Sequence, residues 1–428
     1  MDLQSVSIKY LFDFIQSGLF HVLERAPRRL LKVWQFLLFK KFYRLAFKNT
    51  QFYQQLYQKK GLTSDSIKTV SDICRIPVIY KKDIQNFPES AFLNSKIDYS
   101  RFYRRKTSGS TGQPIEFVRD RKYLPQTKAF YYLNYKWFGV STDTPRVCLK
   151  SPNGSKRFWE SQNTLYIYFN DFQNNIEKYV NKIESFKPIS IEAHPSYLVF
   201  LASALREAGK KLCVPLVISY GEQMLEEDRR LLKETFDAEV TSFYGLNEVG
   251  DLGIECELHN GFHINEANFL VEIVDETGRP VSGADEGDII VTSFINEAAP
   301  LIRYNTGDRG RWISEPCSCG RTWRRIRLLG RKNDTLITPE GKIIFSFYFN
   351  PIFDAYIDEI KQYQLIQRAT DTFLLTVVPS ALFKEETEVK LIGSLKSLLG
   401  TKAKITLKKV ELIPWGKSGK RKFIINEI

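Results

Sequence analysis

A strand–helix–strand order near the middle of the chain constrains the fold most. Residues 217–220 and 239–244 are short apolar and β-branched runs, the pattern of buried strands. Between them the charged stretch 225–236 has the spacing of an amphipathic helix. Two strands joined through a helix lie parallel in one sheet, which excludes an all-β or an all-α domain here. From about Thr107 to Arg331 short β-rich runs keep alternating with helical ones, so the expected class is α/β. Residues 268–312 differ. Runs at 270–274, 288–292 and 311–313 read as strands separated by Gly/Pro turns, a β-subdomain of about 265–330.

After Gly330 the pattern changes again. A helix is expected over 351–360, opening on Pro351 at its first position. Strands over 361–367 and 372–378, a helix over 386–399 and a strand over 403–412 follow. These form a small α+β domain at 332–428, after a large domain at 61–331 and a helical segment at 1–60.

The N-terminal segment is basic. The chain carries 62 Lys/Arg against 49 Asp/Glu, a net charge of +13. Residues 1–60 hold eleven basic and three acidic side chains (+8), and 401–428 hold eight and two (+6). The remainder is near neutral (13 − 8 − 6 = −1), which is not the pattern of a nucleic-acid binder. Within residues 8–60, Leu11, Phe12, Phe14, Ile15 and Leu19 fall at helical spacing, and a second apolar and basic helix follows over 28–41. Such a helix lies on an anionic membrane surface, or packs on the main domain with its basic side in water. The sequence leaves both arrangements open.

Apolar residues at 43 % supply a sizeable core, and no apolar run reaches the ~18 residues that span a bilayer. Lys9 and Asp13 interrupt the opening segment and no small-residue cleavage site follows, so neither a signal peptide nor an anchor is expected. Six cysteines are too sparse for a disulfide scaffold. The expected compartment is the cytoplasm, with membrane association, if any, at its cytoplasmic face.

The segment Thr107-Ser108-Gly109-Ser110-Thr111-Gly112 is rich in residues that suit phosphate oxygens. Glycine permits close approach of the backbone, and hydroxyls and N–H groups donate. It is not a Walker loop, and alone it is more often a turn. Four further motifs follow in order: Tyr244-Gly245-Leu246-Asn247-Glu248, Tyr304-Asn305-Thr306-Gly307-Asp308, Gly330-Arg331-Lys332-Asn333-Asp334, and Pro414-Trp415-Gly416-Lys417-Ser418-Gly419-Lys420. With these the chain, from about Leu56 onward, resembles the adenylate-forming superfamily. It is most similar to the phenylacetate–CoA ligase-like branch, which includes proteins encoded with capsule and surface-polysaccharide genes.

The resemblance implies a fold with a large N-terminal α/β domain and a small mobile C-terminal domain. It implies that Thr107, Ser108, Gly109, Ser110, Thr111 and Gly112 grip the β- and γ-phosphates of ATP. Tyr244 and Gly245 would lie along the adenine, against which Gly221 and Glu222 also pack. Glu248 would hold Mg²⁺, and Asp308, supported by Arg331, would accept from the ribose hydroxyls. Lys420 would bridge the attacking carboxylate and the α-phosphate. These types fit the chemistry, because a carboxylate attacking a phosphate brings two anions together and needs positioned cations. Two positions depart from the pattern. Asn247 replaces a Thr whose hydroxyl would meet the α-phosphate, though an amide still donates. Asn333 stands at the hinge, where Asp or Lys is usual.

Cys256, His259, His263, Cys317 and Cys319 flank the expected β-subdomain. Tetrahedral Zn²⁺ takes Cys/His sets, and a Cys-x-Cys-Gly turn presents two sulfurs from one loop. The favoured set is Cys256, His263, Cys317 and Cys319, because His263 lies between Phe262 and Ile264 while His259 beside Asn260 reads as a turn. The resemblance also implies a metal here, as a structural site. Cys148 and Cys213 read as core, Arg303 and Arg321–Arg327 as solvated faces, and His194 as structural.

The expected function is ATP-dependent activation of a small-molecule carboxylic acid as acyl-AMP, with release of pyrophosphate. Transfer to a thiol, coenzyme A or a carrier phosphopantetheine, would follow. Two alternatives stand beside it: acyl transfer to an amine or hydroxyl of a sugar in surface-polysaccharide assembly, and a catalytically silent member of the fold.

Overall fold

The computed structural model describes residues 19–98, 100, 102–106, 116–120, 123–141, 143–151, 163–331, 335–414 and 422–428. The expected phosphate-gripping residues Thr107–Gly112, the hinge Asn333 and Lys420 lie outside them.

A short antiparallel pair, β1 (Phe102–Lys106) and β2 (Glu116–Asp120), precedes the main sheet. That sheet has eleven strands. Its first half comprises β3 (Arg146–Lys150), β4 (Thr164–Tyr168), β5 (Ser190–Ala193), β6 (Leu216–Tyr220) and β7 (Glu239–Leu246). All neighbouring pairs among these run parallel. The helices Pro195–Glu207 and Glu226–Phe236 pack on them, and Val217, Leu232 and Val240 share one buried apolar cluster. The second half comprises β8 (Gly250–Glu255), β9 (Phe262–Ile264), β10 (Phe269–Val274), β11 (Gly287–Ser293), β12 (Tyr304–Ile313) and β13 (Arg325–Arg331). These pairs are antiparallel, in the order β10-β11-β12-β13-β9-β8-β7-β6-β5-β3-β4. The strands read as a β-subdomain are therefore hydrogen-bonded into the same sheet as the parallel half, and the changeover falls at β7.

The C-terminal region forms a hairpin, β14 (Thr335–Ile337) with β15 (Ile343–Phe345), and a mixed sheet of four. The four are β16 (Ile360–Ala369), β17 (Thr372–Pro379), β18 (Lys404–Lys409) and β19 (Ile424–Asn426), covered by the helix Glu385–Leu399. Arg230 reaches Asp358 at 2.7 Å, and Leu225 is buried in the C-terminal core. The helix expected over 351–360 is confined to Asn350–Asp354. Turns to Glu359 end it, and Ile360 already begins β16.

The helix Arg28–Asn49 packs on the large domain, burying Leu31, Gln35, Phe39, Phe42, Tyr43 and Ala46. Gln35 Nε2 donates to the Phe269 carbonyl at 2.7 Å and Trp34 Nε1 to that of Ala267 at 3.1 Å. Among the described residues no helix is long and apolar enough to cross a membrane.

Three expectations about arginines and a cysteine are corrected here. Arg303 is buried, not solvated: its guanidinium pairs with Glu272 at 3.0 and 3.1 Å and donates to the Gly278 carbonyl at 2.6 Å. Arg321 and Arg325 are also buried, and Arg324 is held by Glu266 and stacked on Trp312 at 3.8 Å. In each case a carboxylate or a row of carbonyls offsets the cost of removing the cation from water. Cys213 is exposed, because its neighbours Leu212 and Val214 turn inward and it points the other way. Cys148 is buried as expected.

Candidate functional site

Pairing changes from parallel to antiparallel at β7, and the carboxyl end of that strand is where the candidate residues meet. Residues Tyr244 to Glu248 leave β7 there, and β12 and β13 bring Asp308 and Arg331 beside them. Gly245 is required by the turn. The β7–β8 ladder bulges between Tyr244 and Gly245, and a Cβ on Gly245 would lie 2.7 Å from the Gly250 carbonyl oxygen.

Asp308 sits at the centre. Tyr244 Oη donates to Asp308 Oδ2 at 2.9 Å, and Arg331 Nε lies 3.3 Å from Asp308 Oδ1. Asp308 and Arg331 are paired directly across β12 and β13. The loop leading into Asp308 is built from its own side chains. Gly307, at φ +78°, donates its N–H to Asn305 Oδ1 at 2.8 Å, and the Asp308 N–H donates to Thr306 Oγ1 at 3.1 Å. Burial, then the Asp308 charge, holds the Tyr244 phenol well above its ordinary range, so it stays a donor.

Glu248 follows on the same turn. Tyr304 Oη donates to Glu248 Oε1 at 3.4 Å. Burial raises the Glu248 carboxyl above the ordinary carboxylate range, against the opposing pull of its own N–H, Arg331 and Lys81. A half-buried carboxylate with an unfavourable charge is a fitting oxygen donor for a hard cation such as Mg²⁺. Asn247 is exposed, and its carbonyl accepts from Arg119.

Gly221, at φ +78°, ends β6. The Glu222 carboxylate accepts from Ser196, from the N–H at 3.2 Å and the hydroxyl at 3.0 Å, and so caps the Pro195–Glu207 helix. His194 Nδ1 lies 2.8 Å from the Tyr220 carbonyl, which fixes the ring as part of the same scaffold. These links tie the 219–222 segment to the helix but carry no sequence signal, since the partners lie 26 residues apart. A surface cavity of about 390 Å³ between residues 52–59 and 78–87 is lined by none of the candidate nucleotide residues.

The second constellation is the Cys/His cluster. Ligating atoms of Cys256, His263, Cys317 and Cys319 all lie within 4.8 Å of one another. Cys256 Sγ is 3.8 Å from Cys317 Sγ, and Cys319 Sγ is 3.4 Å from His263 Nε2. Two thiolates around a tetrahedral zinc stand about 3.8 Å apart, so the donor set fits that metal. His263 Nδ1 is 2.9 Å from the Trp323 carbonyl, which places a proton there and turns Nε2 to the sulfurs. Burial raises the Cys319 thiol, but hydrogen bonds from His263 and Arg321 outweigh it and leave it at about 6. His259, at φ +48°, is the turn residue expected, and it lies beside Glu255 and Glu239 rather than in the cluster.

Sequence reasoning missed how this cluster is braced. Arg321 stacks over Trp137 at 3.9 Å, pairs with Glu257 at 3.1 Å and lies 3.8 Å from the fully buried Glu24. Trp137 Nε1 donates to Glu24 Oε2 at 2.6 Å, and the Thr322 N–H donates to the Glu24 carbonyl at 2.7 Å. The N-terminal helical turn thus clamps the Cys-x-Cys loop.

This fold, one mixed sheet whose pairing turns antiparallel at β7 followed by a small C-terminal sheet, is that of the adenylate-forming CoA ligases. A 2-hydroxyisobutyryl-CoA ligase in its postadenylation state superposes with a TM-score of 0.81 at 18 % identity, over 95 % of this chain and 92 % of that one. A phenylacetate–coenzyme A ligase of Thermus thermophilus is 28 % identical over 82 % of this chain and 81 % of its own length. Protein CapK of Staphylococcus aureus is 25 % identical over 91 % and 88 %. Residues 336–427 match the CapK C-terminal domain family. Over most of its length the chain is therefore similar to phenylacetate–CoA ligases and to CapK, and it shares the fold of the adenylate-forming CoA ligases.

Proposed function

We propose that the protein is an acid–thiol ligase that activates a small carboxylic acid with ATP. An oxygen of the acid attacks the α-phosphorus, the acyl–O–P bond forms, and the bond to the β-phosphate breaks. Pyrophosphate leaves and acyl-AMP remains. A thiol, coenzyme A or a carrier phosphopantetheine, then attacks the acyl carbon and releases AMP. The observation that carries this reading is the Asp308 carboxylate, oriented by Tyr244 on one oxygen and Arg331 on the other. A carboxylate held so is fit to accept from two ribose hydroxyls and fix the nucleotide. The relatives named as coenzyme A ligases support the same chemistry.

In this reading Tyr244, Gly245, Gly221 and Glu222 form the adenine wall, with Glu222 acting by holding its segment. Asn247 faces the α-phosphate, and Thr107, Ser108, Gly109, Ser110, Thr111 and Gly112 hold the outer phosphates. Mg²⁺, when bound, supplies charge neutralisation between phosphates, and Glu248 is its protein donor. Lys420 is brought to the reacting oxygens by the domain at 332–428, turning about Asn333. Cys256, His263, Cys317 and Cys319 would hold a structural Zn²⁺; four protein ligands leave no open position for catalysis. Peripheral contact with an anionic membrane is a separate proposal on a different surface, at the cytoplasmic face.

The match of residues 336–427 to CapK favours one second reading. There the acceptor is an amine or hydroxyl of a sugar, met by the same C-terminal domain.

The test is carboxylate-dependent ATP–pyrophosphate exchange over aryl, fatty, amino and sugar acids, with Lys420→Ala beside the wild type. Exchange with one class, lost in the variant, is expected. Exchange retained in the variant removes Lys420 from the site. ATP binding without exchange from any acid points to a silent member of the fold. Acyl-AMP formed but passed to no thiol supports the sugar acceptor.

A further inference from the structure

We propose that the outer side of the Arg28–Asn49 helix is a docking surface for an anionic lipid bilayer. The helix is apolar on two sides. One side is buried against the large domain. The other shows Leu30, Val33 and Leu37, which are 62, 57 and 61 % exposed. Their spacing of i, i+3 and i+7 aligns them in one ridge. Val22, on the preceding helical turn, is 66 % exposed as well. Trp34 lies at the edge of the ridge, its Nε1 donated to the Ala267 carbonyl, so its ring is held in place.

The charges that the helix itself contributes are of one sign. The 22-residue helix contains Arg28, Arg29, Lys32, Lys40, Lys41, Arg44 and Lys48, and no carboxylate. Arg29, four positions before Val33, borders the ridge and makes no ion pair among the described residues. Beyond Leu37 the same side continues as Lys41, Arg44 and Lys48. Lys41 meets Glu297 and Arg44 meets Asp65 in exposed pairs, which are weak and exchange readily for lipid phosphates.

An apolar ridge bordered by exposed cations needs a partner with an apolar depth and an anionic rim. A bilayer containing acidic lipids has both: acyl chains to take Leu30, Val33 and Leu37, and phosphates to meet Arg29, Lys41 and Arg44. A second copy of the chain fits less well. An isologous contact would set two carboxylate-free helices against each other, basic side to basic side. The proposal does not depend on the acid or acceptor of the ligase reading.

The test is co-sedimentation of the full chain with vesicles of phosphatidylcholine, alone or mixed with phosphatidylglycerol. The wild type is expected to pellet with the mixed vesicles, not with phosphatidylcholine alone, and to release as salt rises. L30S/V33S/L37S should bind at least about tenfold more weakly, since three exposed side chains lose their transfer into the acyl region. R29Q/R44Q should bind more weakly and with a shallower salt dependence. Both variants should melt at the wild-type temperature, because none of these side chains is buried. A wild type that stays in solution with mixed vesicles overturns the proposal. So does an L30S/V33S/L37S variant that pellets like the wild type. A lipid-free dimer that this variant turns to monomer would assign the ridge to a second copy instead.

Discussion

Asp308 and Arg331 face each other across two antiparallel strands, with Arg331 Nε 3.3 Å from Asp308 Oδ1 and Tyr244 Oη on the other oxygen. The carboxylate is therefore oriented before any ligand arrives. Asp308→Asn keeps the size of the group and one acceptor but loses the charge that both ribose hydroxyls would meet. ATP affinity is expected to fall about ten- to a hundredfold, the worth of charged hydrogen bonds, with little change in melting. Titration calorimetry with ATP reads the first and a thermal melt the second. Unchanged affinity would remove Asp308 from the nucleotide site.

Gly245 sits where β7 bulges toward β8, and the obstruction to a side chain there is backbone, the Gly250 carbonyl at 2.7 Å and Asp251 Cα at 3.1 Å. Gly245→Ala must displace the turn that carries Asn247 and Glu248. A loss of about 1–3 kcal/mol in stability is expected from the clash. Exchange activity should fall further than stability does, because the shift lands on the candidate Mg²⁺ donor. A variant with wild-type melting and exchange would show that the turn tolerates a Cβ.

Asn333 joins the two domains in the reading proposed above. Proline there fixes φ and removes an N–H, which restricts a rotation more than it disturbs a closed state. Asn333→Pro is expected to leave acid-dependent exchange largely intact and to slow acyl transfer. Rapid mixing of preformed acyl-AMP enzyme with coenzyme A separates the two steps. Equal loss of both would place no hinge at Asn333.

The parts of this molecule that were legible in the sequence are those set by local pattern or by contiguous motif. Residues 217–220 and 239–244 read as strands because continuous apolar runs between turns have little else to do. Tyr244 and Asp308, 64 positions apart, were grouped because each lies inside a motif. Other parts had no such signal. Most of β12, Tyr304–Arg311, is polar and glycine-bearing, and it is a strand because β11 and β13 pair with it on both sides. Arg303 read as solvated because nothing nearby in sequence announces Glu272 or the Ile76 and Gly278 carbonyls. The same holds for the clamp of Glu24 on Trp137 and Arg321, whose members come from three distant stretches.

Cys317 shares the Cys-x-Cys turn and lies 3.8 Å from Cys256 Sγ. Cys317→Ser removes one of four soft ligands, and a structural zinc site contributes directly to folding. Metal analysis of the purified protein is expected to give zinc in the wild type and much less in the variant, with a lower melting temperature. The N-terminal turn should loosen too, because Arg321 and Thr322 join the loop to Glu24. Faster amide exchange at residues 19–25 would report that. A wild type purified without zinc, and unchanged in melting when zinc is added, would leave the cluster as three free thiols beside a histidine.

Glu266 adds a pH dependence to the fold at the root of the same N-terminal helix. Its carboxylate is fully enclosed, with Arg28 Nη2 at 3.0 Å and Arg324 Nε at 3.0 Å on one oxygen. Burial raises its pKa, but the charges of Arg324 and Arg28 and the Arg324 N–H outweigh that and leave it below the ordinary value. A carboxyl depressed in the folded state adds stability that is complete above its unfolded pKa, roughly 4.3. That stability is lost as pH falls through the folded value. Glu266→Gln leaves the part-exposed guanidinium groups of Arg28 and Arg324 without their anion, a loss of about 1–3 kcal/mol near neutral pH. The gap between the melting curves of variant and wild type should be widest at pH 6–7 and should close progressively below about pH 4. Melting temperatures measured across that range decide it. Two parallel curves would mean that Glu266 keeps the same protonation on unfolding and that its arginines hold the helix by packing alone.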